Sequence, residues 1–244
     1  MLQENERIDD LEFENLKIIQ NKNWFCFGID SVLLSDFAKT IKKNATVLDL
    51  GTGTGIISIL LSKKIACKKI YGIEVQKDVA DMANRSVELN QLQEKIEILP
   101  MNVHNLLEKF SKNSIDAIVT NPPYKKQHTG EKNENLVKYI ARHETEVDLE
   151  EWISISSSVL KSTGELYMVH RPERLVDILT LLRKYRLEPK ILRFVYANIE
   201  KEPKLVLIKG VKNAKPFMKV EKPLFVYNNS GNYTDEILKI YNKK

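Results

Sequence analysis

The sequence predicts an α/β fold: one mostly parallel, seven-stranded sheet with a reversed last strand and helices on both faces. Three observations lead there. Short β-branched runs alternate with stretches of helical period, the pattern of a parallel sheet with crossover helices. A glycine-rich turn directly follows the first of these strands and opens a helix. The last two strands are joined only by 197–203, too short for a parallel crossover, so they should form an antiparallel hairpin.

In chain order the predicted strands lie at 46–50, 69–74, 96–99, 115–120, 165–170, 190–196 and 204–211. Predicted helices lie at 31–39, 55–63, 78–90, 102–110, 149–160 and 172–185. Ile56, Ile57, Leu60 and Leu61 share one helix face, as do Leu175, Ile178, Leu179 and Leu182. Before the first core strand stand 16–20 and the segment FCFGIDSVLLSDFA; after the last comes a tail ending in GNYTDEILKIY. The polar segment 125–148 is long for a loop and follows the fourth strand, at the sheet edge where ligands bind in such folds. One domain over 1–244 is expected, with 1–44 an N-terminal extension closing the ligand site and 212–244 a basic C-terminal tail.

The 244 residues are 43% hydrophobic and 29% charged, which allows a core of ordinary size. No run approaches the roughly 18 apolar residues that span a bilayer. The acidic start, MLQENERIDDLEFEN, is no secretory signal. Cys26 and Cys67 lie far apart, which argues against a disulfide framework or a zinc site. A reduced, cytoplasmic, metal-free monomer is expected. The net charge of +5 is uneven: 187–244 holds 12 Lys+Arg against 6 Asp+Glu, and the remainder 26 against 27. Such a basic region suits a phosphate backbone, although a lysine-rich solvated surface is the plainer reading.

The segment VLDLGTGTGIISILL runs strand, glycine turn, helix. Gly51, Gly53 and Gly55 let the backbone turn sharply and approach a ligand, and the helix start offers N–H groups to its oxygens. A P-loop would need Gly-Lys-Ser/Thr, which is absent, and a dinucleotide site would need glycine where Ile56 stands. The pattern D-x-G-x-G-x-G fits S-adenosylmethionine instead. Asp49 then accepts from the methionine end, directly or through water, with Thr52 inside the turn. Glu74 ends the next strand 25 residues after Asp49, near the spacing of an acidic residue that grips a ribose diol. Val75 would pack on the adenine. Asn102, with Val103 beside it, stands where an acidic residue commonly contacts the adenine amine; an amide oxygen can still accept there.

Asn121-Pro122-Pro123-Tyr124 follows the strand IDAIVT. It resembles the NPPY signature of amino-methyltransferases, and the chemistry explains the residues. The lone pair of a conjugated amine or amide is delocalised and poorly nucleophilic. Two acceptors at its two N–H groups, the Asn121 side-chain oxygen and the Pro122 carbonyl, can aim that lone pair. Pro123 locks its own φ and keeps Pro122 extended. Tyr124 supplies a flat face for a flipped base. No shifted general base is needed, because the methylated nitrogen is cationic and acidic.

FCFGIDSVLLSDFA, VLDLGTGTGIISILL, YGIEVQ, NPPY, ARHE, VHRPERL and GNYT together, over about 11–241, resemble the bacterial enzymes that methylate the 6-amino group of the adenine beside a tRNA anticodon. The strand and helix layout is similar to the class I methyltransferase fold. The resemblance implies tRNA as partner, adenine 37 of a valine tRNA as target and S-adenosylmethionine as cofactor. It places Phe27, Gly28 and Asp30 on the N-terminal side of the cofactor pocket. Lys125, Lys126, Arg142 and His143 would line the mouth near the substrate, while His104 and His170 read as structural. NPPY is shared with DNA adenine and protein glutamine-N5 methyltransferases, so those remain alternatives. A release-factor enzyme carries a helical domain before the cofactor strand, and only about 45 residues precede it here. A catalytically silent cofactor- or RNA-binding scaffold is the alternative of another class, and the intact motifs argue against it.

Overall fold

The computed structural model describes residues 2–24, 26–122 and 148–243. Thr46–Leu50 (β3), Lys69–Glu74 (β4) and Ile115–Thr120 (β6) form strands with the predicted limits. Ile96–Pro100 (β5) runs one residue further than predicted. Leu160–His170 (β7), Leu187–Tyr196 (β8) and Pro203–Lys212 (β9) begin before their β-branched runs do. Two strands of two residues, Lys219–Val220 (β10) and Leu224–Phe225 (β11), both pair with β8. The sheet order is β10-β8-β9-β7-β6-β3-β4-β5, with β11 also on β8. Among the described residues the expected count of seven is therefore corrected to nine; the two additions are too short to show an alternating pattern. Among the described strands of this sheet, only β9 runs against its neighbours, antiparallel to both β7 and β8.

The helices are Ile29–Phe37 (α1), Ile56–Lys64 (α2), Lys77–Leu89 (α3), Leu106–Lys109 (α4), Leu149–Val159 (α5), Leu175–Lys184 (α6) and Asp235–Ile240 (α7). The helix predicted at 102–110 is instead a 3-10 turn, Val103–Asn105, followed by the single turn α4. The break follows from Asn102, whose side chain accepts the His104 N–H at 3.0 Å and so caps a new start. Helix α2 does not carry a single apolar stripe: Ile56 to Ser62 are all buried, with α1 packed against the helix as well as the sheet. In α6, Ile178 and Leu182 are buried as their spacing predicts.

Two buried clusters cover the two faces of the sheet. One gathers α1, α2 and α3 with residues such as Leu33, Ile57 and Ala83; the other gathers α4, α5 and α6 with Leu106, Ile153 and Ile178. A hairpin of Glu6–Asp10 (β1) and Lys17–Asn21 (β2), neither of them among the predicted strands, clasps α3. Arg85 holds Glu6 through two contacts of 2.6 Å, and Asn90 accepts from Lys17 N–H at 2.8 Å. The tail is woven into the core rather than laid on it: Leu224, Val226, Ile237 and Ile240 are buried, and Lys64 Nζ donates to the Ile240 carbonyl at 3.1 Å.

Much of the excess positive charge of the C-terminal quarter is engaged within the chain. Lys190 Nζ donates to the carbonyls of Lys215, Pro216 and Phe217 at 3.1, 3.2 and 2.8 Å. Lys212 Nζ donates to the carbonyls of Ser157 and Leu160, and Arg193 pairs with Glu236 at 2.7 Å. No helix of the described residues is long and apolar enough to cross a membrane.

Candidate active site

Strand register brings the candidate residues into one row. Leu50 on β3 pairs with Ile73 on β4 and with Thr120 on β6. The next residue along each strand is therefore Gly51, Glu74 and Asn121 respectively. At the spacing of neighbouring strands, Glu74 and Asn121 flank the glycine turn across about 10 Å. All three lie at the C-terminal edge of the parallel strands, where ligands of such sheets bind.

The turn is fixed before any ligand arrives. Gly51, Gly53 and Gly55 have φ of 70°, 56° and 89°, the left-handed region that side chains avoid. The N–H groups of Gly51 and Thr52 donate to the Ile73 carbonyl at 2.9 and 3.0 Å, and Gly53 N–H donates to Glu74 Oε2 at 3.1 Å. The other Glu74 oxygen accepts from Gln76 N–H at 3.0 Å. A Cβ on Gly53 would meet nothing within 4 Å, so the turn presents bare backbone to open space. Trp152, which the sequence reading passed over, lies under the turn: its ring would be 3.4 Å from a Cβ on Gly51, and its Nε1 donates to Thr120 Oγ1 at 2.8 Å.

Asp49 is fully buried. Its Oδ2 accepts from Thr52 Oγ1 at 2.6 Å, from Ser58 Oγ at 2.8 Å and from Ser58 N–H at 3.1 Å. It thus ties the turn to the start of α2 and takes an N–H that the helix would otherwise offer a ligand. Only Oδ1, buried and with no hydrogen-bond partner among the described residues, is left for a further donor. Burial pushes the Asp49 carboxyl up to about 6, against the hydrogen bonds from Thr52 and Ser58.

The Asn121 side chain donates from Nδ2 to Asp30 Oδ2 at 3.1 Å, and Pro122 is buried beside it. Gly28 is the N-cap of α1, and Phe27, half-buried against the core, donates its N–H to Gln20 Oε1 at 3.0 Å. Val75 is half-buried and Val103 buried. Asn102 Oδ1 accepts the His104 N–H and so caps the 3-10 turn, and its second lone pair is left for a further donor. Pro123, Tyr124, Lys125, Lys126, Arg142 and His143 lie outside the described residues. Among the described residues no group of His, Cys, Asp or Glu could hold a metal ion.

His170 ends β7, almost wholly buried, and its Nδ1 accepts from Arg171 N–H at 2.8 Å. Burial depresses it to about 4. Asp49 and His170 therefore pull stability in opposite directions over one pH window. The native state keeps the Asp49 proton up to about pH 6, where the unfolded chain has lost it, so stability falls with rising pH between about 4 and 6. Native His170 gives up its proton near 4 while the unfolded chain holds it to 6.5, so stability rises over about the same range. Each effect is at most about 3 kcal/mol. Urea unfolding at pH 4.5 and 7 is expected to show a rise for Asp49→Asn and a fall for His170→Asn, with the parent chain between them; equal slopes in all three would contradict the buried states described. Asp116 acts elsewhere: burial opposes its charge, but hydrogen bonds from Lys42, Lys161 and Thr46 N–H hold it near 2, so its contribution is lost only below about pH 4.

A doubly wound sheet whose last strand is reversed between its neighbours, with a glycine turn after its central strand, defines the class I methyltransferases. The chain belongs to the methyltransferase small domain family, whose profile matches residues 15–185. A protein of Porphyromonas gingivalis named tRNA1(Val) (adenine(37)-N6)-methyltransferase is 30% identical over 208 residues, covering 82% of this chain and 79% of its own length. A release factor glutamine methyltransferase of Haemophilus influenzae is 36% identical over 139 residues, but these cover 51% of this chain and 45% of that one. Among solved structures, a predicted O-methyltransferase from Agrobacterium tumefaciens superposes with a TM-score of 0.69 at 18% identity, over 87% of this chain and 95% of that one. That last likeness is one of fold.

Proposed function

We propose that this protein transfers a methyl group from S-adenosylmethionine to the exocyclic 6-amino group of an adenine in tRNA, at position 37 beside the anticodon of a valine tRNA. The observation that carries the reading is the row Glu74, Gly51, Asn121: a ribose-gripping carboxylate, a bare glycine turn and an amide acceptor, side by side on one sheet edge. The relatives named for this reaction match most of the chain, whereas the glutamine methyltransferase matches about half, which favours a nucleic-acid amine over a protein amide.

The residues fit an S-adenosyl ligand. The open space over Gly53 admits a ligand against the backbone, and Asp49 Oδ1, unpartnered among the described residues, can take a donor or a water. Phe27, Gly28, Asp30, Asp49, Gly51, Thr52, Gly53, Gly55, Glu74, Val75, Asn102 and Val103 would border that ligand. When bound, the sulfonium cofactor supplies the methyl group. Asn121 Oδ1 and the Pro122 carbonyl accept the two N–H groups of the target amine and turn its lone pair toward the methyl. Tyr124 stacks on the flipped base, and Lys125, Lys126, Arg142 and His143 meet the RNA near the site mouth. Catalysis is then proximity and orientation at near-attack distance. The single domain runs over 1–244, with 1–44 closing the cofactor site and 212–244 a basic tail that completes the sheet edge. The protein acts as a cytoplasmic monomer without a metal.

The test is methyl transfer from labelled S-adenosylmethionine to total tRNA from cells lacking this gene, with DNA and release factor in parallel. Label in tRNA that digests to 6-methyladenosine is the expected result. Label in DNA or release factor would replace the substrate, and label in none of the three would favour a silent scaffold.

A further inference from the structure

We infer that Asp30 is a positioning residue for Asn121: its carboxylate fixes which end of the Asn121 amide faces the target nitrogen. This rests on the reading of Asn121 as the acceptor in methyl transfer. The two ends of an asparagine amide are nearly equal in size, but only the oxygen end can accept from an amine. A carboxylate accepts hydrogen bonds and donates none. Asp30 Oδ2 lies 3.1 Å from Asn121 Nδ2, so the NH2 end must face Asp30 and Oδ1 must face away from it. The orientation follows from donor and acceptor chemistry and not from how the amide is drawn.

The carboxylate is itself fixed. Asp30 stands in the first turn of α1, and its Oδ1 accepts from Ser31 N–H at 2.9 Å. A Cβ at position 28 would lie 2.9 Å from that same oxygen, so Gly28 leaves the room the carboxylate occupies. Upstream, Gln20 is held by Asp9 at 2.5 Å and accepts from Phe27 N–H at 3.0 Å, which ties the entry of α1 to the N-terminal hairpin. Asp30 thus reaches the reacting group from 91 residues away in sequence. It acts by aiming an amide, a role distinct from bordering the cofactor.

The test is a double-mutant cycle on the amino acceptor that the parent enzyme methylates. Asp30→Asn keeps the size but no longer dictates the amide's orientation; kcat is expected to fall about 10- to 100-fold, while the dissociation constant for S-adenosylhomocysteine changes by less than about threefold. Asn121→Asp sets two carboxylates against each other and is expected to lose at least as much. The double variant Asp30→Asn with Asn121→Asp restores the pair with donor and acceptor exchanged: the new amide donates to an acceptor-only group at 121. It is expected to turn over at least about tenfold faster than either single variant. Asp30→Asn with unchanged kcat would overturn the inference, as would a loss lying wholly in cofactor binding or a double variant no better than the worse single one. Activity of the parent enzyme on DNA or release factor would overturn the tRNA reading and leave this cycle to be read on that substrate.

Discussion

Asn121→Ala is expected to lower kcat by about 10²–10³-fold, the usual cost of deleting one preorganised polar contact to the reacting group, with cofactor affinity changed less than about tenfold. The asymmetry follows from where the side chain sits. Asn121 is the residue after Thr120 on β6, beside the turn but not part of it, and its contact to Asp30 draws on α1. The Gly53 to Glu74 bond and the Asp49 bonds to Ser58 survive its loss. Single-turnover rates and calorimetric titration with S-adenosylhomocysteine separate the two quantities. A fall in kcat under tenfold would remove Asn121 from the chemistry; a matching fall in affinity would move it into the cofactor pocket.

Glu74→Ala is expected to have the opposite profile, weakening cofactor binding about 10- to 100-fold, in line with hydrogen bonds to a charged group. Two effects add. The ribose loses its acceptor, and the N–H groups of Gly53 and Gln76 lose theirs. Glu74→Gln distinguishes the two, since its single acceptor oxygen keeps one loop N–H bond and the side chain's size, while its NH2 end cannot accept from the diol. If Glu74→Gln binds as tightly as the parent chain while Glu74→Ala does not, Glu74 shapes the turn and does not grip the ribose. Unchanged affinity in both would dismiss the ribose role altogether.

The central strands and the reversed hairpin were legible in the sequence because each carries a β-branched run bounded by turn residues, and because 197–203 allows only one connection. The row of candidate residues was legible for a related reason: glycine turn and NPPY each follow a strand, Glu74 ends one, and parallel neighbours end together. The first strand of the N-terminal hairpin was not legible, since ERIDD has no apolar face and its Glu6 is held by an ion pair to a helix far along the chain. Asp49 was placed at the right point, but its bonds within the fold were not foreseen: nothing in the local sequence says that Ser58, nine residues on, would take up its Oδ2. The basic tail shows the same blindness from the other side. Counting lysines cannot tell an ammonium facing solvent from one, such as that of Lys190, that closes a loop by binding three carbonyls. Partners that only the folded chain brings together decided each of these cases.

The position of β9 between β7 and β8 has a consequence for how the chain comes off the ribosome. From β4 through β7, each strand has at least one sheet neighbour that precedes it, so the core can assemble as it is made. Strand β8 breaks that order: its partners β9, β10 and β11 are all synthesised later. Until residues 203–212 emerge, a nascent chain carries β7 with one unpaired edge and β8 with no sheet to join. Open edges of this kind recruit other strands. The interval between the synthesis of β8 and of β9 is therefore the stage at which this protein most needs protection from aggregation, and a chain cut there would be expected to misassemble although its candidate site residues are all present.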